Sequence, residues 1–331
     1  MVTVALAGAT TGFGLTMLRV FHHLNSEGIK PYKLVLLSRS AQPEWSAKGI
    51  DVRPIDYANH SQLTTALGDV HTVLSVIGGD AEAIRNSQLA LLAAAKEAGV
   101  KRFAPSEYAG TSNEGIDLYA GKAEVWSACQ AVASKTGMEV TSFQCGLFMS
   151  IFATGTPKPP TPIGLREGAK TGEEEALAGL RPWSFVLNMK AGTADLPGHG
   201  TAPIVLTDMR DIATFVYHAL SLPIWPEVLG MRGDVKSFRE MIAIAERVQS
   251  RKILVQENTV AKMRAQAEED PGKVFYNQVR IALTEKWAMV PDTLNQGFPE
   301  LKPTTCEEFV EKWWRGVEIG EPSWGEDKSF M

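Results

Sequence analysis

Apolar residues over the first 150 positions come in short runs, at 2–7, 34–37, 52–55, 73–77, 102–104 and 140–145. Each run is rich in β-branched or aliphatic side chains, the pattern expected of a parallel sheet covered on both faces. Between the runs, helix-like stretches lie at 14–24, 61–67, 81–98 and 119–136. In the third of these Leu89, Leu92, Ala93 and Lys96 recur at helical spacing, and Gly99 is a good C′ stop. Strand and helix in alternation predict βαβ units, hence an α/β protein with a Rossmann-type, doubly wound parallel sheet.

The pattern loosens after Phe152. Residues 154–180 carry Pro157, Pro159, Pro160 and Pro162, several glycines and the acidic run 173–175. They read as an irregular, partly mobile excursion and a lid candidate. Order returns at 183–190, followed by a turn at 197–200, a strand at 204–206 and a helix at 209–220 with Asp208 as N-cap. The remainder is mostly helical, at 237–248, 259–268, 273–286 and 306–317, with a short run at 253–256. Thr305 and Glu308 form a capping-box signature. The expected organisation is a Rossmann body over 1–153 and a smaller, helix-rich C-terminal lobe over 154–331. The strand and helix of 200–220 are expected to return to the first body.

The sharpest motif is Gly8-Ala9-Thr10-Thr11-Gly12-Phe13-Gly14, placed after the first strand and opening the first helix. A diphosphate needs close backbone N–H groups and a positive helix N-terminus, and a Cβ at the turn would hold it away. Gly8 permits the turn, Gly12 the close approach, and Gly14 the packing of helix on strand. A dinucleotide is the expected ligand. The second strand runs into Ser38-Arg39-Ser40, with no acidic residue to bond a ribose 2′-OH. Arg39 suits a 2′-phosphate, which selects NADP over NAD; the competing reading is a solvated surface arginine. Ile77, Gly78 and Ser106 border the cofactor by topology, at the carboxyl ends of strands four and five. Gly78 either lets the loop pass close to the ribose or is only a turn residue.

Composition excludes other classes. Lys plus Arg number 33 against 38 Asp plus Glu, a net charge of −5, with no dense basic cluster of the kind a duplex-binding protein shows. The three cysteines, Cys129, Cys145 and Cys306, have no C-x-x-C spacing, which argues against disulfides and structural zinc. His22 and His23 have no paired acid, so no metal is expected. No apolar run reaches the roughly 18 residues of a membrane span, and the N-terminus enters a strand at once. A soluble, cytoplasmic protein is the expectation.

Val100-Lys-Arg-Phe-Ala-Pro-Ser-Glu-Tyr108, together with the glycine loop, Arg39, Ser75-Val-Ile-Gly-Gly79 and Thr207-Asp-Met-Arg-Asp-Ile-Ala213, resembles the NmrA-like and isoflavone-reductase-like families of atypical short-chain dehydrogenases. The resemblance covers about residues 2–220. It implies an NADP-binding Rossmann lobe with a substrate cleft against the C-terminal lobe. The glycine spacing departs from the G-x-x-G-x-x-G usual in these families, having Thr11 at the middle position and Gly12 beside it. Ordinary short-chain dehydrogenases use Tyr-x-x-x-Lys, whereas this chain has Tyr119-x-x-Lys122. Three residues apart the pair shares a helix face, with the tyrosine turned by about 100° from its usual place. In the isoflavone-reductase group the tyrosine is absent and a lysine handles the proton, and Lys122 matches that context. Lys122 is therefore the catalytic candidate, against a role in ribose binding alone or as a surface lysine. Phe148, with Met149, Phe152 and Trp183, either lines an apolar pocket beside the nicotinamide or belongs to the core.

The expected activity is an NADPH-dependent reductase acting on a C=O or conjugated C=C of a small apolar molecule, aromatic or polyketide-like, from secondary metabolism. Two alternatives stay open: a non-catalytic NADP sensor acting through a regulatory protein partner, and an isomerase that retains NADP. Small-molecule substrate is the expected partner, with a homo-oligomer compatible and neither nucleic acid nor membrane anticipated.

Overall fold

The computed structural model describes residues 1–28 and 31–326; residues 29–30 and 327–331, the last five of the expected C-terminal lobe, lie outside it. Six strands, β1 (Thr3–Ala7), β2 (Lys33–Ser38), β3 (Asp51–Pro54), β4 (Thr72–Ser75), β5 (Arg102–Ala104) and β6 (Glu139–Val140), form a parallel sheet ordered β3-β2-β1-β4-β5-β6. Five helices follow successive strands: α1 (Gly12–Ser26), α2 (Pro43–Ala47), α3 (His60–Ala66), α4 (Ala81–Glu97) and α5 (Ala120–Thr136).

The unbroken apolar runs are explained by cover on both faces. Val4, Leu6, Leu34, Leu36 and Leu74 pack with Met17, Leu18 and Phe21 of α1 and with Ile212, Phe215 and Val216 of the helix Met209–Ala219. Ala5, Ala7, Val35, Leu37 and Val73 face the other way, against Leu63 of α3, Leu91 and Leu92 of α4, and Val125 of α5. Strand order reverses at β1 and β4, so a crevice opens beyond their carboxyl ends.

One expected strand divides. The run at 140–145 contributes β6 to the main sheet, then leaves it, and Ser142–Gln144 pairs instead with Val228–Gly230. Apolar patterning records burial and is blind to which strand provides the hydrogen bonds. Leu147–Phe148 pairs parallel with Ile204–Thr207, which in turn pairs antiparallel with Asp234–Lys236. Thr193–Pro197 lies between Leu187–Asn188 and Leu254–Asn258. The helices Phe238–Gln249 and Cys306–Trp314 both begin with complete capping boxes, Ser237 with Glu240 and Thr305 with Glu308. Trp313 and Trp314 anchor the latter helix: both are buried, and the Trp314 indole N–H donates to the Phe152 carbonyl.

Residues 154–180 are more regular than their composition suggests. Prolines and glycines break the stretch into two short capped helices, Pro162–Arg166 and Gly172–Leu177, with Thr161 and Thr171 as N-caps. From the acidic run, Glu175 is buried; its carboxylate accepts from Thr161 Oγ1 (2.9 Å) and from Lys312 (3.0 Å). Among the described residues no helix is long and apolar enough to cross a membrane.

Candidate functional site

The glycine loop joins the end of β1 to α1. Gly8 has φ +82°, and a Cβ there would stand 2.7 Å from the Ile77 Cα, so the buried end of β4 presses directly on the turn. A Cβ on Gly14 would overlap the Gly8 carbonyl oxygen, so the third glycine packs the helix against the loop just past the strand expected there. Thr11 is the extended N-cap of α1 but makes no side-chain cap bond, and the first turn has no acidic residue. The leading amides of a 15-residue helix are thus left without an internal partner, at its positive end. Thr10 and Phe13 are half-buried and Thr11 is exposed. Gly78 is exposed, with no atom within 4 Å of where a Cβ would stand, so the close approach of backbone occurs at Gly8 and not at Gly78.

At the end of β2, the Ser38 hydroxyl donates to the Ser40 carbonyl (2.7 Å) and accepts from the Ser40 amide (3.2 Å), bending the chain into a tight turn. Arg39 stands exposed on that turn and, among the described residues, has no hydrogen bond or ion pair. The guanidinium is available to an anion.

The ends of β5 and α5 bring the polar groups together. The Ser106 amide donates to Gln88 Oε1 at 2.7 Å, tying the turn to α4. Lys122 Nζ donates to the Glu107 carbonyl at 2.7 Å and lies 4.7 Å from the centre of the Tyr119 ring. Tyr119 and Lys122 therefore touch, but through the ring face, because Tyr119 belongs to the 3-10 turn Asp117–Tyr119 just before α5. Burial pushes the Lys122 ammonium below the usual lysine range, opposed by the nearby Glu107 and Cys145. Burial raises the Glu107 carboxyl, with Lys122 and Asn113 pulling the other way. The Tyr108 and Tyr119 phenols are both pushed far up by burial.

Aromatic rings tie the glycine loop to this cluster. Phe13 packs edge-on against Tyr108 (5.1 Å between centres) and at a tilt against Phe148 (5.7 Å). Beyond Lys122, Tyr119 meets Phe275 (5.8 Å), which stacks on Trp183 (5.7 Å). All four of Phe148, Tyr119, Phe275 and Trp183 are half-buried and offer an apolar wall. Met149 and Phe152 do not join it. Both are completely buried in the 3-10 turn Met149–Ala153 and belong to the core. Arg39 follows the end of β2 whereas Lys122 lies in the first turn of α5, and His199 pairs with Glu257 on an exposed turn. Among the described residues no group of His, Cys, Asp or Glu is arranged to hold a metal.

One contact has no local signal in the sequence. Thr16 Oγ1 of α1 donates to the Ala178 carbonyl at 2.6 Å, and Gly179 lies flat on the glycine loop: a Cβ there would fall 2.6 Å from the backbone of Gly12. Gly179 has φ +96°. Gly179→Ala is expected to cost about 1–3 kcal/mol, since strained backbone and rigid main-chain atoms leave no cheap way to yield. Denaturant unfolding checks this; an unchanged midpoint would show that the two segments separate freely. Glu107, Tyr108 and Asn113 also join the site without having been singled out by sequence, although Glu107 and Tyr108 stand within the Pro105-Ser106-Glu107-Tyr108 motif.

Comparisons with known proteins agree with this fold. The NmrA-like family model matches residues 3–310. "Oxidoreductase BOA1" of Botryotinia fuckeliana (strain B05.10) is 32% identical over 256 residues, covering 76% of this chain and 77% of that protein. The structure titled "AtPrR2 with NADP+ and (+)pinoresinol" superposes with a TM-score of 0.69 at 17% identity, covering 94% of this chain and 98% of that one. An isoflavone reductase structure gives the same TM-score, identity and coverage.

Proposed function

The chain belongs to the NmrA-like family, and from that premise we propose that it is an NADPH-dependent reductase of a small, apolar, ring-containing carbonyl or enone compound. One observation carries the reading: the uncapped N-terminus of α1 and the unpaired Arg39 guanidinium stand beyond the carboxyl ends of neighbouring strands. That geometry fits a dinucleotide, diphosphate on the amides of α1 and 2′-phosphate on Arg39. Gly8, Thr10, Thr11, Gly12, Phe13 and Gly14 would hold the diphosphate, and Ile77, Gly78, Ser106 and Phe148 would border the ribose and nicotinamide. NADPH, when bound, supplies hydride. Lys122 supplies the proton, its ammonium steadied on the Glu107 carbonyl. Phe148, Tyr119, Phe275 and Trp183 exclude water and bind the substrate rings. In this reading residues 1–153 carry the cofactor and residues 154–331 close the substrate side, with 154–180 as lid and the 200–220 strand and helix returned to the Rossmann body.

Cofactor choice tests the reading. Wild-type protein is expected to bind NADPH well ahead of NADH. Arg39→Ala is expected to lose about 10- to 100-fold in NADPH affinity, the range of one or two charge-assisted hydrogen bonds, with NADH little changed. Fluorescence titration measures both. Equal affinity for the two coenzymes would overturn the assignment of Arg39. Tight NADPH binding with no consumption across a panel of aromatic ketones and enones would replace the reductase by a dinucleotide sensor.

A further inference from the structure

Behind the Lys122 contact lies a second polar feature. Glu107 is 7% exposed; Asn113 Nδ2 donates to its Oε2 at 2.7 Å, and Oε1 is buried with no hydrogen-bond partner. The same residue lines a cavity of about 360 Å³ whose walls include Ser127 and Gln130 of α5 and Ser142 and Gln144 of the following strand. A carboxylate oxygen is costly to bury unpaired. That cavity is walled by hydroxyls and amides, and Oε1 itself is shut off from it. Glu107 thus makes two contacts, its carbonyl to Lys122 and its carboxylate to Asn113.

We propose that Glu107 is a positioning residue for Lys122: its carbonyl fixes the ammonium, and its buried carboxylate favours the charged lysine. The inference rests on the reading of Lys122 as proton donor. When Lys122 Nζ gives a proton to the substrate oxygen it becomes a neutral amine. A proton from solvent then restores the ammonium before the next turnover.

The surroundings leave Glu107 in control of that charge. The ionisable groups facing Lys122 are Glu107, Tyr119 and Cys145, and those facing Glu107 are Lys122, Tyr119 and Cys129. Glu114 also lines the cavity, at its exposed rim. Burial pushes the Cys129 thiol up to about 12, and it raises the Cys145 thiol and the Tyr119 phenol further. These three stay neutral at ordinary pH, so among the described groups facing Lys122 the carboxyl is that of Glu107. Removing that carboxyl lowers the lysine midpoint, because burial then acts unopposed.

The test is Glu107→Gln, with Glu107→Asp as the conservative control. The pH dependence of Lys122 modification by a trace amine-acylating reagent, read by mass spectrometry of the intact protein's peptides, gives the lysine midpoint without turnover. Glu107→Gln is expected to move that midpoint to lower pH. Lys122 then becomes about tenfold more reactive at a pH below the wild-type midpoint, because lowering the midpoint by about one pH unit raises the free amine tenfold. The alkaline limb of kcat should move the same way while KM changes little, and Glu107→Asp should restore most of the wild-type behaviour. An unmoved midpoint in a folded Glu107→Gln protein would overturn the inference. If the glutamine variant does not fold, Asn113→Ala, which strips the donor that favours the carboxylate, is expected to lower the midpoint by a smaller step, and an unmoved or raised one would equally overturn it. Failure of the parent reading is distinguishable: there, Lys122→Ala leaves turnover intact whatever Glu107 does.

Discussion

Lys122→Ala is expected to lower kcat by about 10²–10⁴-fold, the range for loss of one positioned proton donor, while NADPH still binds. Nζ is held by the Glu107 carbonyl at 2.7 Å and by the Tyr119 ring at 4.7 Å from its centre, which fixes where the ammonium stands. No neighbour can take its place. Burial raises the Tyr108 and Tyr119 phenols, which weakens them as acids, and Tyr119 turns its ring face, not its hydroxyl, to the lysine. The pH profile carries a sign. Burial lowers the Lys122 pKa, and the donor must be protonated, so the rate is full at low pH and falls as pH rises through that lowered value, below the ordinary lysine range. Steady-state kinetics with coenzyme titration separate the roles. If Lys122 served only to bind ribose, the alanine variant would lose about 10- to 100-fold in NADPH affinity, the worth of a charged hydrogen bond, and keep its kcat.

Arg280→Ala is expected to destabilise the fold by about 3–5 kcal/mol, the usual cost of stranding one partner of a buried ion pair. Arg280 is completely buried on the helix Val274–Thr284, and its guanidinium meets Asp195 of the strand Thr193–Pro197 at 3.0 Å. Asp195 also accepts from Asn258 Nδ2 (2.6 Å) and the Tyr276 hydroxyl (3.3 Å), and Arg280 donates to Asn277 Oδ1 (2.9 Å). Truncating the arginine leaves a carboxylate in the interior with only neutral donors. The double variant Arg280→Met with Asp195→Asn removes both charges, keeps an oxygen for Asn258, and is expected to recover a large part of the loss. Urea unfolding of the three proteins decides it. A single variant as stable as wild type would mean that water reaches the pair.

How far such features can be read from the chain depends on how local they are. The six β-strands and the helices α1, α3, α4 and α5 follow from apolar runs and turn residues within a few positions of one another, whereas the five-residue α2 is too short to leave a periodic pattern. Both capping boxes are legible because three-residue spacing is itself the geometry. The site divides in the same way. Gly8 and Gly14 are readable because the turn needs a left-handed residue and the helix leaves no room for a Cβ. Arg39 is readable because strand two ends without an acid. Phe148 differs from Met149 and Phe152 in exposure though the three lie within five positions, and composition has no means of telling a wall from a core.

The amino-acid order alone determined the doubly wound sheet, the glycine loop and the family signature, because each rests on backbone geometry between near neighbours. Only the folded chain decided that Gly179 rests on Gly12, that Ala178 accepts from a threonine 162 positions away, and that the Glu107 carboxylate is buried against a polar cavity. Those are consequences of packing between segments remote in sequence, and a side chain's charge and exposure are properties of what packing brings beside it.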